Sequence, residues 1–552
     1  MTTTLAPSPP GDQVPTGSGS STGLSHKQIV TVLSGLMLGM FLASLDQTIV
    51  STAMRTIADK LDGQTAQAWV TTAYLITSTV STPLYGKLSD LYGRKPFYLF
   101  AITIFVVGSV LCGTATSIYQ LAGYRAIQGI GAGGLLSLAF TIVGDLVPPR
   151  ERGRYQAYFM SVFATSSVLG PVLGGALAGQ DTIFGIDGWR WIFYVNVPIG
   201  IVAFLVVSKV LHLTKVRQSH RIDFLGAGLL TASIVPLLLV AEKGREWGWT
   251  SGLTLGLTAL SLLSLASFVP WERRMGEEAI LPLRIFANPV FSVTSATSLL
   301  VGMAMFGGLV TLPLYLQIVR EESPTRAGLL LIPLMVGIMA ASVTCGRVMR
   351  RTGRYKIFPI IGTSLMFVGL LLLSTLTYNS PLWYAEVFMV VMGAGLGMSM
   401  QTLVISVQNA LPPKDMGVAT GSVTFFRSLG GTFGAATSLA VLFSTVLPNI
   451  KSRLSAAGVP QQVIDRFNGA GSINDTSVIK TLPPAIRNAV LQGFADSMHT
   501  TFLVTACIVV PAFVLACLIK EVPLREQGGI AAARTDEDRA GVERAKVESV
   551  VA

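Results

Sequence analysis

The sequence predicts an all-α integral membrane protein of fourteen transmembrane helices, on three observations. The 552 residues are 51% hydrophobic and only 12% charged, with a mean hydropathy of +0.60, about half the charged fraction of a soluble domain. Apolar stretches of about 20 residues, enough to cross a hydrocarbon core of roughly 30 Å, recur along the whole chain. Finally, one loop and its neighbouring glycines and prolines return almost half a chain later, as in proteins built from two related halves.

The apolar stretches centre near Met40, Ala73, Phe105, Leu135, Leu169, Ile201, Thr231, Leu262, Gly302, Met335, Leu365, Val391, Ser428 and Val509. An even count puts both termini on one side. About 26 of the 40 Lys and Arg fall in segments on that side, including Lys215, Arg217, Arg273, Arg347 and Lys356, against about 12 on the other. The positive-inside bias therefore places both termini in the cytoplasm of a cell carrying the protein in its plasma membrane. The formal charge of +11 sits in short loops at helix ends, where anionic lipid head groups account for it and nucleic acid does not.

All four cysteines (Cys112, Cys345, Cys507, Cys517) lie inside apolar spans, and the four histidines have no ligand spacing. No disulfide framework, metal centre or catalytic constellation is expected.

Residues 1–27 are rich in Pro, Gly, Ser and Thr and read as a disordered cytoplasmic tail. A first six-helix half spans 28–212, an inserted helix pair with its linkers 213–287, and a second six-helix half 288–520. Within the second half, 443–497 reads as a long extracytoplasmic loop with short amphipathic helices at 450–457, 461–467 and 484–494. Two roles stand for it: an interfacial cap, or a gate or partner site. Residues 521–552 alternate acids and bases as a solvated cytoplasmic tail.

The repeat supports the division into halves. Gly86-Lys87-Leu88-Ser89-Asp90-Leu91-Tyr92-Gly93-Arg94-Lys95 returns as Gly346-Arg347-Val348-Met349-Arg350-Arg351-Thr352-Gly353-Arg354-Tyr355-Lys356, offset by 260. Gly129, Gly131, Gly133, Pro148, Pro149 and Gly153 return as Gly393, Gly395, Gly397, Pro412, Pro413 and Gly417, offset by 264. Spans seven and eight have no counterpart, so the pair is an insertion. A pseudo-two-fold arrangement places a substrate site at the midplane between halves.

Four further motifs agree in order. They are Leu45-Asp46-Gln47-Thr48-Ile49-Val50, Arg125-Ala126-Ile127-Gln128-Gly129-Ile130-Gly131, Gly170-Pro171-Val172-Leu173-Gly174-Gly175, and Trp189-Arg190-Trp191-Ile192-Phe193-Tyr194-Val195-Asn196-Val197-Pro198. With the 86–95 loop, they make the chain resemble the major facilitator superfamily from about residue 29 to 520, specifically its fourteen-helix drug:proton antiporters. The resemblance implies the major-facilitator fold, with inward proton flow driving export of amphipathic or lipophilic drugs or dyes. An endogenous lipid, metabolite or peptide is the alternative cargo. It also implies no cofactor, since the proton gradient supplies the energy, and a monomer whose partners are small amphipathic molecules, protons and membrane lipids. Two departures stand out: Arg350 where the first loop has Asp90, and Glu321 where similar proteins often carry Gly.

A charged side chain deep in lipid costs at least about 2.5–3.5 kcal/mol, so the few present need a partner, a wet cavity or a function. Asp46 and Arg125 lie at similar depth, and if their helices are neighbours, as the resemblance implies, they can pair. The pair reads either as a proton switch or as a permanent tie between two helices. Arg427 sits near the centre of its span with no acid close in sequence. Gln128, Gln317, Gln401 and Gln408 can supply hydrogen bonds, while Trp69 and Tyr74 are among the aromatic residues that can line a soft cavity. In the 86–95 loop, Gly86 permits close helix approach and Gly93 a positive-φ turn; Asp90 can cap a following helix, and Arg94 can reach Asp145, together forming a cytoplasmic gate. Gly170, Pro171, Gly174 and Gly175 form a small-residue face suited to a rocking hinge or to ordinary tight packing.

Overall fold

A lipid solvent leaves backbone amides no partner outside the chain, so a span must be a helix. In the computed structural model, which describes residues 26–62, 66–211, 223–276, 278–460, 464 and 482–524, almost everything is helical. The first half runs through α1 (His26–Lys60), α2 (Gln67–Tyr92), α3 (Arg94–Gly113), α4 (Ile118–Leu146) and α5 (Pro149–Ala178). A two-stranded hairpin, β1 (Thr182–Ile183) and β2 (Ile186–Asp187), then leads through α6 (Trp191–Tyr194) into α7 (Asn196–Val210). The inserted pair is α8 (Phe224–Trp247) and α9 (Gly252–Met275). The second half comprises α10 (Pro289–Leu314), α11 (Pro324–Leu330), α12 (Ile332–Thr352), α13 (Ile357–Ser374), α14 (Leu382–Ala410), α15 (Met416–Ala456) and α16 (Pro484–Leu518).

Among the described residues thirteen helical segments are long and apolar enough to span a membrane, α6–α7 and α11–α12 each counting as one, and α2 makes the fourteenth crossing. Helix α2 is less apolar because Thr and Ser crowd its middle. Their hydroxyls donate to carbonyls one turn back, as Thr77 does to Ala73 at 2.9 Å and Thr82 to Ser78 at 2.8 Å. Hydroxyls satisfied in this way leave the helix compatible with burial.

Within the first half α1 packs on α5 and α7, and α4 on α2 and α3; within the second, α10 packs on α15 and α16, and α14 on α12 and α13. The halves meet where α2 and α4 touch α15 and where α5 touches α11, α12 and α14. Helices α8 and α9 pack on each other, with α8 resting against α2 and α15. The face on which α1 begins and α16 ends is the terminal face.

The helices expected at 450–457 and 484–494 within the 443–497 segment are present, but as the ends of longer helices. Helix α15 runs 41 residues to Ala456 through Pro448, and α16 begins at Pro484, so both ends of that segment are continuous helix. They extend past the opposite face and hold each other there. Arg453 makes a two-pronged pair with Asp496 at 2.7 and 2.9 Å, and Asn449 donates to Ser497 at 2.9 Å. The 461–467 helix lies outside the described residues apart from Ile464, as do residues 1–25 and 525–552 of the two tails.

Candidate functional site

Asp46 has no solvent exposure and Arg125 is 1% exposed. Their helices cross where α1 meets α4, and an Arg125 Nη1 donates directly to Asp46 Oδ2. The other carboxylate oxygen accepts from Gln128 Nε2 at 2.9 Å and from Asn196 Nδ2 at 2.8 Å. Gln128 in turn receives Arg125 on its Oε1 at 2.6 Å and donates to Ser109 at 2.7 Å. The Tyr74 ring lies under the guanidinium, 4.0 Å from its centroid to Cζ, a cation–π contact strengthened by the dry surroundings. Helices α1, α2, α3, α4 and α7 thus all contribute to a single polar core, α4 with both Arg125 and Gln128.

Three donors thus converge on the two oxygens of the Asp46 carboxylate. Of the expected cavity candidates, Gln128 and Tyr74 belong to this core. Asn196 and Ser109 complete it without having been singled out in the sequence, although Asn196 stands inside the Trp189–Pro198 motif. The start of that motif builds the opposite face: Arg190 donates to the Gly113 and Ala115 carbonyls at 2.7 and 2.9 Å, and Asn196 then opens α7.

At the terminal face the 86–95 loop ties the halves together. Arg94 bonds Asp90, Asp145 at 2.7 Å and the Ser89 hydroxyl at 2.7 Å. Asp90 was expected to cap a following helix; the helix it caps is α15, 327 and 328 residues further on. Its two oxygens accept from the Gly417 and Val418 amides at 3.1 and 2.9 Å, two of the donors a helix N-terminus leaves open. Gly86 makes the approach possible, since a Cβ there would stand 2.6 Å from the Gly417 carbonyl oxygen. Gly93 has φ +99°, which a glycine adopts freely. A second tie, absent from the sequence reading, joins α5 to α14. Buried Arg152 donates to the side-chain Oε1 of Gln408, to the backbone carbonyl of Val147 at 2.8 Å and to that of Gly144, while Gln408 Nε2 donates to Thr420 at 2.9 Å.

The four hinge residues do not share one face. A Cβ on Gly170 would strike the Thr48 hydroxyl and one on Gly174 the Ile49 carbonyl, so both pack α5 on α1 inside the first half. Pro171 looks the other way, towards Gly328 of α11, and Gly175 faces open space. Only Pro171 reaches across the halves.

The remaining candidates separate. Trp69 stacks near Trp247 at 6.2 Å between centroids, with Lys243 Nζ 5.9 Å from its ring, and so joins α2 to the inserted α8 near the opposite face. Gln317 is exposed in a π-turn after α10, fifteen residues beyond Gly302 and about 22 Å from the level of Arg427. Arg427 is half-buried, and among the described residues it makes no hydrogen bond or ion pair. Glu321, two residues after that π-turn, has a positive φ of +55° and pairs with Arg487 at the start of α16.

Two six-helix bundles with an inserted helix pair, a dry ion pair at depth in one bundle and a hydrogen-bonded latch between both, define a multi-pass membrane transporter. The family model of the Major Facilitator Superfamily matches residues 36–435, and the chain belongs to that superfamily. It is 37% identical over 496 residues to an uncharacterized MFS-type transporter of Mycobacterium tuberculosis, covering 90% of this chain and 70% of that one. To Multidrug resistance protein 3 of Bacillus subtilis it is 35% identical, covering 88% of this chain and 93% of the relative. Among solved structures, the proton:xylose symporter XylE superposes with a TM-score of 0.59 at 15% identity, over 93% of this chain and all of that one. That last likeness concerns the fold.

Proposed function

We propose that the protein is a proton-driven antiporter that exports amphipathic or lipophilic compounds across the plasma membrane, with both termini in the cytoplasm. The observation that carries the reading is the Asp46 carboxylate, without solvent exposure and bound by Arg125, Gln128 and Asn196. Protonation would cancel the charge that Arg125 answers and turn one acceptor oxygen into a donor facing donors, so the polar core would have to rearrange. Because the carboxylate is sealed, a proton reaches it only when α1 and α4 shift against their neighbours. Charge change and helix movement are thereby linked, which is what coupling requires.

The latch supplies the other element. Asp90 on the α15 N-terminus and Arg152 on Gln408 hold the terminal face shut, and the excess of Lys and Arg on that face argues that it is cytoplasmic. Export fits the relative named Multidrug resistance protein 3 and the one named Efflux pump FUS6, which is 31% identical. The direct test measures proton release on addition of a lipophilic dye to purified protein in detergent, wild type against Asp46→Asn. Release from wild type and none from the variant is expected; equal release from both removes Asp46 as the coupling acid. Transport in vesicles that survives collapse of the pH gradient would overturn antiport itself.

A further inference from the structure

We propose that Arg427 anchors a second ligand subsite, in the C-terminal half, that takes the anionic group of an amphipathic molecule, a carboxylate being the simplest case. This deepens the reading above and rests on it.

The three other arginines buried in or beside the helix bundle, Arg94, Arg125 and Arg152, are all bonded to acids, amides or carbonyls. Arg427 is the exception among the described residues. A guanidinium stays charged at any ordinary pH and offers five donors in a fixed fork. Without a partner at membrane depth it is costly to keep.

No carboxylate of the described C-terminal half lies at its level. Glu321, Glu322, Glu386 and Asp496 sit towards the opposite face; Asp415 and Glu521 sit at the terminal face. Asp46 is committed to Arg125, Gln128 and Asn196.

The layer around Arg427 is rich in idle hydrogen-bonding groups. A Cβ on Gly302 of α10 would meet the Arg427 backbone, and Ser298 lies one turn before Gly302 on the same face. Thr424 lies one turn before Arg427 on α15. From the contact of Gly308 with Met392, nine residues towards the terminal face bring α10 to Leu299 and α14 to Gln401, and the Leu299 carbonyl faces Gly430 of α15. Gln401 is therefore at the same level. Ser298 Oγ, Thr424 Oγ1 and Gln401 Nε2 are all buried without a hydrogen-bond partner, their residues 1%, 4% and 4% exposed. Hydroxyls and an amide NH₂ at the level of a guanidinium can all donate to one acceptor, and buried groups left without a partner are uncommon.

The layer is also reachable from inside. Residues 416–425 of α15 are buried without a break, and accessibility begins at Phe426, Arg427 and Ser428. Helices α2, α4, α8, α10, α14 and α16 all pack against α15, and a guanidinium left accessible at membrane depth belongs in a wet interior space rather than against lipid. An amphipathic acid entering there would place its charge on Arg427 and leave its apolar body among the aromatic and aliphatic walls.

The experiment uses the full-length purified protein in detergent and three matched probes: 4-biphenylcarboxylate, 4-biphenylcarboxamide and 4-biphenylmethylammonium. Affinities are read by intrinsic tryptophan fluorescence for wild type, Arg427→Gln and Arg427→Lys. Wild type should prefer the carboxylate over the amide by about tenfold or more, and Arg427→Gln should abolish that preference while shifting the amide and ammonium by less than about twofold. Arg427→Lys should restore part of the preference, because it keeps charge and loses the fork. Unchanged neutral binding shows that the variant is folded. Equal affinity of wild type for carboxylate and amide, or parallel loss of all three probes in Arg427→Gln, overturns the subsite. Binding of amide and ammonium with no carboxylate preference leaves the efflux reading standing, whereas failure of all three probes to bind counts against both.

Discussion

The two halves share a packing device and differ in their charges. Gly170 and Gly174 seat α5 on α1; 260 residues later Gly430 and Gly434 seat α15 on α10, against the Leu299 and Met303 carbonyls. The first half encloses its deep charges completely, Asp46 and Arg125 each held by several partners. The second half presents a single guanidinium with none among the described residues. The repeated loops diverge as well. The loop with Asp90 reaches across to α15, whereas its counterpart, with Arg350 and Gly353, holds its own chain's exit: Tyr355 N donates to Glu521 at 3.2 Å and Val522 N to the Tyr355 hydroxyl at 3.1 Å. Duplicated backbone packing has been kept, while the polar groups have specialised half by half.

The largest test of this contrast compares two arginine deletions. Arg125→Met strands the Asp46 carboxylate in a dry site, and losing one partner of a buried pair costs about 3–5 kcal/mol. Arg427→Met strands nothing, and its cost should stay below about 1 kcal/mol or turn into a gain, since an unpaired charge leaves the bundle. Thermal unfolding of the purified variants reads both. Comparable losses would mean that Arg427 has a protein partner in solution, and the contrast between the halves would fail.

The depth of Asp46 and Arg125 was legible in the sequence because one residue position fixes a height along a helix to within a turn. Which other groups stand at that height was not, because each comes from a separate helix. Asn196 reaches Asp46 from 150 positions away, Arg152 reaches Gln408 across 256, and Asp90 reaches Gly417 across 327. No local signal announces such meetings. The fourteen spans were readable because lipid permits few alternatives, and even the Thr-rich α2 carried enough apolar residues to be counted. In the 443–497 segment the helices at its two ends were legible but their continuity with the spans was not, because Pro448 and the charges after it look like a boundary. A helix leaving the membrane no longer needs to be apolar, however, and α15 and α16 continue as a paired helical extension.

The second test concerns the two loops. Asp90→Ala removes the cap from α15 and one acid from Arg94, and losing a cap costs about 1 kcal/mol. The closed-to-open ratio should fall by about fivefold. A cysteine placed at Thr420, buried behind the latch, should then react with a water-soluble maleimide about fivefold faster. Arg350→Ala should change that rate by less than about twofold, because its loop carries no acid to cap a helix of the other half as Asp90 does. Acceleration by both would show that the loops act as a symmetric pair.

The smallest effect is expected at the opposite face, where Glu321 follows the π-turn after α10. Its φ of +55° is unfavourable for any residue with a Cβ, by about 1–2 kcal/mol relative to glycine, and its carboxylate pairs with Arg487 on α16. Glu321→Ala loses the pair and keeps the strain; Glu321→Gly loses the pair and relieves the strain. Glycine should therefore be the more stable of the two by about 1 kcal/mol, measured by thermal unfolding at low salt. If alanine matches glycine, the turn relaxes once the pair is gone. The positive φ would then be a product of the ion pair that draws α10 towards α16, with no backbone requirement for glycine at this position.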